Sequence, residues 1–176
     1  MNNQLPKRKS IRLSQYDYSQ NGAYFITICT KDRRHLLSKI HTVGAIHESP
    51  VIQLTECGKM VADVLVDIPL RFGCNIDKYV IMPNHVHLLI SFDRERRAIR
   101  ESPLQGRSDL SKIIGYLKMN ASKQIHEKYG NIEVWQRGYY DHVVRNQVDY
   151  DDIYRYIESN PLQWEQDELY NGQPEL

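Results

Sequence analysis

Between Tyr79 and Phe92 the chain reads Tyr-Val-Ile-Met-Pro-Asn-His-Val-His-Leu-Leu-Ile-Ser-Phe, and this stretch limits the possible folds more than any other. Its aliphatic and β-branched residues predict strands on both sides of Met82-Pro83-Asn84. A Pro-Asn pair between extended segments is a turn signal, so a β-hairpin with His85 at its tip is expected. Side chains alternate across a strand, so His85 and His87 face the same way. Two imidazoles aimed at one point can hold one ion. At a sheet end the pair is expected to lie open to substrate. By itself, though, a His-x-His pair is more often the polar side of a half-exposed strand than a site. The metal reading therefore needs a third ligand and a nucleophile from elsewhere in the chain.

The 176 residues suffice for one compact domain with a real core and are short for two. Three segments are expected: a basic arm over residues 1–20, a folded domain over 21–164, and an acidic tail over 165–176 that follows an anchoring Trp164. The net charge is only +1, but it is unevenly placed. Basic residues crowd the N-terminus, Arg33-Arg34 and the stretch after Phe92, while Asp and Glu concentrate from Asp149 onward. A near-neutral total can hide a polyanion-binding face. Cys29, Cys57 and Cys74 form no C-x-x-C pair, which points to buried thiols in a reducing cytoplasm rather than a zinc knuckle or a disulfide framework. No apolar run approaches the roughly 20 residues that span a bilayer, and the basic N-terminus lacks a secretory apolar region. A soluble cytoplasmic protein with no membrane partner is expected.

The remaining elements follow from periodicity. Tyr24–Thr30 reads as a central strand, residues 40–51 as a loop or short edge hairpin, and residues 93–107 as an exposed connector. A helix starts near Thr55, carries Met60, Val61, Val64, Leu65 and Ile68 on one face, and is expected to end at Pro69. A second opens at Ser108 with a stripe of Leu110, Ile113, Ile114, Leu117, Ala121 and Ile125. Tyr140–Val144 gives a fourth strand. A last helix, with Val148, Ile153, Tyr156 and Ile157 as its apolar rhythm, runs from near Gln147 to near Asn160, before Pro161.

On that last helix Tyr156 and Asn160 are four residues apart and share a face. His85, His87 and the Asn160 amide oxygen would make a mixed nitrogen and oxygen ligand set with open positions, able to polarise a phosphate oxygen. Tyr156 is then the candidate nucleophile. A free phenol titrates at about 10, so attack on a phosphodiester needs charge withdrawn from phosphorus. Tyr139, Tyr140, Tyr150 and Tyr154 are local rivals, but Tyr156 alone shares a helical face with Asn160. Asn160 also fits a plain helix end.

An N-terminal Arg-Leu-x-x-Tyr-Asp-Tyr, then Tyr-Phe-Ile-Thr-Ile-Cys-Thr, Met-Pro-Asn-His-Val-His, Trp-Gln-Arg-x-Tyr-Tyr-Asp-His-Val-Val-Arg and Tyr-Ile-Glu-Ser-Asn-Pro together resemble the REP-associated tyrosine transposases. These belong to the HUH single-tyrosine transposases of small insertion sequences. The resemblance covers about Arg8 to Gln163, in order. It implies an α+β fold, a ferredoxin-like or RRM-like sandwich with a central four- to five-stranded antiparallel sheet and helices packed on it, in agreement with the βαββαβα order above. It implies that residues 21–164 form the catalytic domain, with Tyr156 as nucleophile and His85, His87 and Asn160 as ligands of Mg2+ or Mn2+. The implied activity is cleavage and rejoining of single-stranded DNA at hairpins through a 5′-phosphotyrosine, by a monomer or homodimer.

Given that substrate, Lys9, Arg12, Arg33, Arg34, Lys118, Arg137 and Arg145 are candidates for holding phosphates, and Tyr16, Tyr18 and Trp135 for stacking on bases. Two other readings stay open: a noncatalytic RRM-like binder of single-stranded nucleic acid, and a metal hydrolase that uses the histidines to activate water.

Overall fold

The structure, a computed structural model, describes residues 22–41, 50–92 and 109–172. Lys9, Arg12, Tyr16 and Tyr18 of the expected arm, Ser108 and the 93–107 connector lie outside these residues. In chain order the elements are β1 (Gly22–Cys29), β2 (Ser38–His41), β3 (Val51–Leu54), α1 (Glu56–Phe72), β4 (Cys74–Ile81), β5 (His85–Phe92), α2 (Asp109–Tyr129), β6 (Tyr140–Val143) and α3 (Gln147–Ser159). Short 3-10 segments occupy Lys31–Arg33 and Asn160–Gln166.

Four strands form one antiparallel sheet in the order β4-β5-β1-β6. Parallel partners β1 and β4 are separated by β5, and β5 and β6 by β1, which is the interleaved pattern of a ferredoxin-like sheet. Either side of the expected loop or edge hairpin at 40–51, β2 pairs with β3 as a two-stranded sheet separate from the main one.

Strand alternation divides the chemistry between the two sides of the main sheet. Tyr24, Ile26 and Ile28 of β1 and Val86, Leu88, Ile90 and Phe92 of β5 pack against α1 and α2 in a continuous apolar core. All six residues of the α2 stripe are buried there. Each fully buried aliphatic side chain contributes about 1.5–3 kcal/mol, so this side dominates the stability of the domain. Phe25 and Leu89 face the other way, into a smaller cluster with Ile157 of α3 and Trp164. β5 is therefore covered on both faces, which is why it reads as an almost unbroken apolar run. Among the described residues no helix is long and apolar enough to cross a membrane.

Three expectations change. α1 passes through Pro69 and ends at Gly73, whose φ of 63° is the left-handed conformation glycine adopts freely and whose N–H reaches the Pro69 carbonyl at 3.0 Å. A proline forfeits one helical hydrogen bond, and this close to the C-terminus the helix continues past it to Phe72. On α3 only Ile157 is buried, while Val148 is 69% exposed. The Pro83-Asn84 turn is not a solvent tip, since Asn84 and His85 are both 0% exposed. Thr30 N–H donates to the Asn84 carbonyl at 2.9 Å and Leu37 N–H to that of Pro83 at 3.0 Å, which draws the turn inward.

Candidate active site

The register of β1 against β5 places Thr27 opposite His87 and Cys29 opposite His85. Thr27 Oγ1 lies 2.9 Å from His87 Nδ1, and His85 Nδ1 lies 2.8 Å from Asn84 Oδ1. Asn84 Nδ2 donates to the Leu169 carbonyl at 2.8 Å, which fixes its amide with the oxygen toward His85. His85 must then donate from Nδ1, leaving its lone pair on Nε2. Both rings are held by their Nδ1 atoms, 4.4 Å apart between centroids, as metal-binding imidazoles are when a neighbour fixes their tautomer.

The last helix supplies the other half. Tyr156 hydroxyl stands 3.5 Å from His87 Nε2 and donates to Asp167 Oδ2 at 3.3 Å. Asn160 Nδ2 donates to the same carboxylate oxygen at 2.7 Å. Phe25 meets the Tyr156 ring edge to face at 5.9 Å, and Trp164 lies 5.9 Å from His85. His85 is 0%, His87 2% and Asn160 2% exposed, whereas Tyr156 is 41% exposed. The histidines are thus sealed within the fold instead of lying open at a sheet end. Access runs along Tyr156, through a cleft of about 630 Å³ lined by Phe25, His87, Arg137, Tyr139, Tyr140 and Asp167.

Burial sets the protonation states. Desolvation pushes His85 down to about 3, with Asn160 opposing and Arg33 adding to the fall. His87 is held well below its ordinary value, first by burial and then by His85. Both imidazoles are neutral at pH 7 and offer lone pairs. Tyr156 is pushed up to about 12, mainly by burial and next by the Asp167 carboxylate. The bare protein therefore holds its phenol protonated.

His85 Nε2 and Asn160 Oδ1 are buried and have no hydrogen-bond partner. Orphaned buried acceptors are costly. Ligand atoms of His85, His87 and Asp167 all lie within 4.8 Å of one another. Two neutral imidazoles with amide and carboxylate oxygens suit a divalent ion of the manganese kind, which accepts both nitrogen and oxygen donors.

The four residues of the expected centre, Tyr156, His85, His87 and Asn160, do converge. The rival tyrosines divide: Tyr150 and Tyr154 stack on each other beside Lys78 of β4, whereas Tyr139 and Tyr140 line the same cleft as His87 and Tyr156. The expected phosphate holders fare unequally. Lys118 gives its ammonium to the Gln136 carbonyl at 2.7 Å and to that of Gly138, and burial lowers its pKa to about 8. Arg34 bonds the carbonyls of Lys31 and Glu133, and Trp135 donates to the Lys118 carbonyl at 3.2 Å while packing on the core. These three shape the 133–138 loop from within. Arg137 is exposed on the cleft, Arg145 is exposed beside α3, and Arg33 reaches the Glu168 carbonyl at 3.3 Å.

Sequence reasoning missed Asp167, Asn84 and Thr27. Asn84 carried a signal in its place between the turn proline and the first histidine. Thr27 needed the strand register, and Asp167 stood among other acidic residues in what reads as a tail. That segment folds back as far as residue 172: Asp167 Oδ1 accepts from Leu169 N–H at 2.7 Å, and Asn171 bonds both His35 and the Arg33 carbonyl.

A buried pair of histidines beside a half-exposed tyrosine thus sits on an interleaved four-stranded sheet of ferredoxin-like topology. The sequence profile described as "Transposase IS200 like" matches residues 18–160, and the chain belongs to that family of DNA transposases. An uncharacterized protein of Haemophilus influenzae is 36% identical over 174 residues, covering 93% of both chains. The solved structure of a REP-associated tyrosine transposase bound to a REP hairpin superposes with a TM-score of 0.58 at 21% identity, covering 86% of this chain and 74% of that one. At that identity the likeness speaks for the fold.

Proposed function

We propose that the protein cleaves and rejoins single-stranded DNA at hairpin sites by transesterification, with Tyr156 as nucleophile and His85, His87 and Asn160 holding Mg2+ or Mn2+. The observation that carries this reading is the approach of the Tyr156 hydroxyl to 3.5 Å from His87 Nε2, beside the orphaned acceptors of His85 and Asn160. The bound ion would withdraw charge from a phosphate oxygen and make phosphorus electrophilic.

The residues of the chain do the rest. Tyr156 Oη, on the accessible rim, attacks phosphorus; the bond to the 3′ oxygen breaks, the phenol loses its proton and the 3′ oxygen gains one. The 5′-phosphotyrosine keeps the energy of the broken linkage, and attack by another 3′ hydroxyl reseals the strand. Phe25 and Trp164 keep water from the buried ligands. Arg33 and Arg137 are the phosphate-holding candidates near the cleft, Arg145 lies at the far end of β6, and Tyr139 and Tyr140 offer aromatic surface for unpaired bases. A DNA hairpin as partner is supported by the REP hairpin held by the structural neighbour.

The test is to incubate the protein with Mn2+ and a single-stranded oligonucleotide carrying a hairpin from the DNA beside its own gene. A denaturant-resistant protein–DNA adduct is expected, absent in Tyr156→Phe while hairpin binding persists. An adduct of undiminished yield in that variant would refute the assignment, and cleavage leaving both ends free would favour hydrolysis.

A further inference from the structure

We infer that Asp167 is a fourth protein ligand of the ion held by His85, His87 and Asn160, so that the C-terminal segment completes the metal centre. The inference rests on the metal reading above and adds to it a residue supplied from outside the helix and the sheet.

Three observations carry it. The carboxylate lies within 4.8 Å of the ligand nitrogens of both histidines, and the nitrogens are equally close to each other. Atoms bound to one ion at about 2.0–2.3 Å are separated by about 3 to 4.6 Å, so small shifts bring the group into a single shell. The carboxylate is also held in place before any ion arrives. Its Oδ1 accepts from Leu169 N–H at 2.7 Å, and its Oδ2 accepts from Asn160 Nδ2 at 2.7 Å and from Tyr156. The third observation is that His85 Nε2 and Asn160 Oδ1, near enough for the amide to bear on the imidazole, are buried without a hydrogen-bond partner, two acceptors with no donor to share.

Charge makes the carboxylate useful. Two imidazoles and an amide leave a divalent ion with its full charge in a buried place, which is costly. One carboxylate halves that charge and supplies the hard oxygen that Mg2+ and Mn2+ prefer over nitrogen. Asp167 also bonds both Asn160 and Tyr156, so the segment that carries it sets the position of ligand and nucleophile together.

Mn2+ binding to the full-length protein, followed by its electron paramagnetic resonance signal and by the rise in Tm with added Mn2+, tests this without DNA. Asp167→Asn keeps an oxygen for Leu169 N–H but removes the charge. A 10- to 100-fold weaker affinity is expected, with the Tm of the metal-free protein within a few degrees of wild type, and Asp167→Glu should recover part of the affinity. Unchanged Mn2+ affinity in Asp167→Asn, with His87→Ala binding none, overturns the inference and leaves the metal reading standing. Unchanged affinity with a higher adduct yield also overturns it and assigns Asp167 to restraining Tyr156. Mn2+ binding that is indifferent to both substitutions overturns the inference and the metal reading together.

Discussion

The two sides of the central sheet are built to opposite rules. Toward α1 and α2, side chains from β1 and β5 enter a mostly aliphatic core in which the buried Tyr24 phenol is the polar group these strands contribute. Toward α3 and the C-terminal segment, the same two strands present Thr27, His85 and His87, and cover them with Phe25, Trp164 and Tyr156. The first side gains stability from every residue. The second gives up some, by burying two acceptors without partners, in exchange for a prearranged ligand set. One strand, β5, serves both, and alternate residues separate the tasks.

The largest expected effect is on the polar side. His85→Leu removes a buried imidazole with an unmatched lone pair but also its bond to Asn84 Oδ1, so the adduct with hairpin DNA should vanish while the two effects offset and the Tm of the metal-free protein changes by only a few degrees. A large fall in Tm would mean that His85 serves the core and would erase the contrast. The mirror experiment is Leu88→Ala, the residue after His87 on β5 but facing α1 and α2. It should cost about 2–5 kcal/mol in denaturant unfolding, with the folded fraction still forming adduct.

Acid should sharpen the contrast further. An unfolded chain protonates histidine near 6.5, whereas folded His85 resists to about 3 and His87 to well below its ordinary value. Between those limits the unfolded state binds more protons, so stability is full above about pH 6.5 and declines as pH falls toward 3. Urea unfolding at pH 7 and pH 5 should show this decline, and His85→Leu should make it shallower. The smallest effect concerns how α3 is held. Asn146 caps the helix by accepting from Asp149 N–H at 2.9 Å, and Asn146→Ala should cost about 1 kcal/mol. Adduct yield should fall more than Tm, because α3 carries Tyr156 but little of the core.

The contrast also explains what the sequence disclosed. The apolar side obeys simple periods, and so the main strands and the α2 stripe were legible from spacing, whereas the sandwich with its central antiparallel sheet came from the family resemblance. Tyr156 and Asn160 were legible because helical spacing makes them neighbours. Asp167 was not, since a 3-10 segment with a kink at Gln163 imposes no period that would single out one acidic residue. Nor was the burial of His85 legible, because Trp164 reaches it from a segment whose path depends on tertiary contacts. Pro69 misled because the rule against helical proline is weakest within a turn of the C-terminus, where a glycine was already placed to end α1.

The Asn84 amide is a small element with a long reach. An amide can be turned only one way at a time, and its nitrogen is committed to the Leu169 carbonyl, 85 residues on, while its oxygen holds His85. Reversed, it would set oxygen against oxygen at one end and N–H against N–H at the other. Docking of the C-terminal segment and the tautomer of the first histidine are therefore two readings of one equilibrium. Linkage makes the influence mutual: whatever draws on the Nε2 lone pair of His85 also steadies residues 167–171, and whatever peels those residues away frees the imidazole to present the wrong nitrogen.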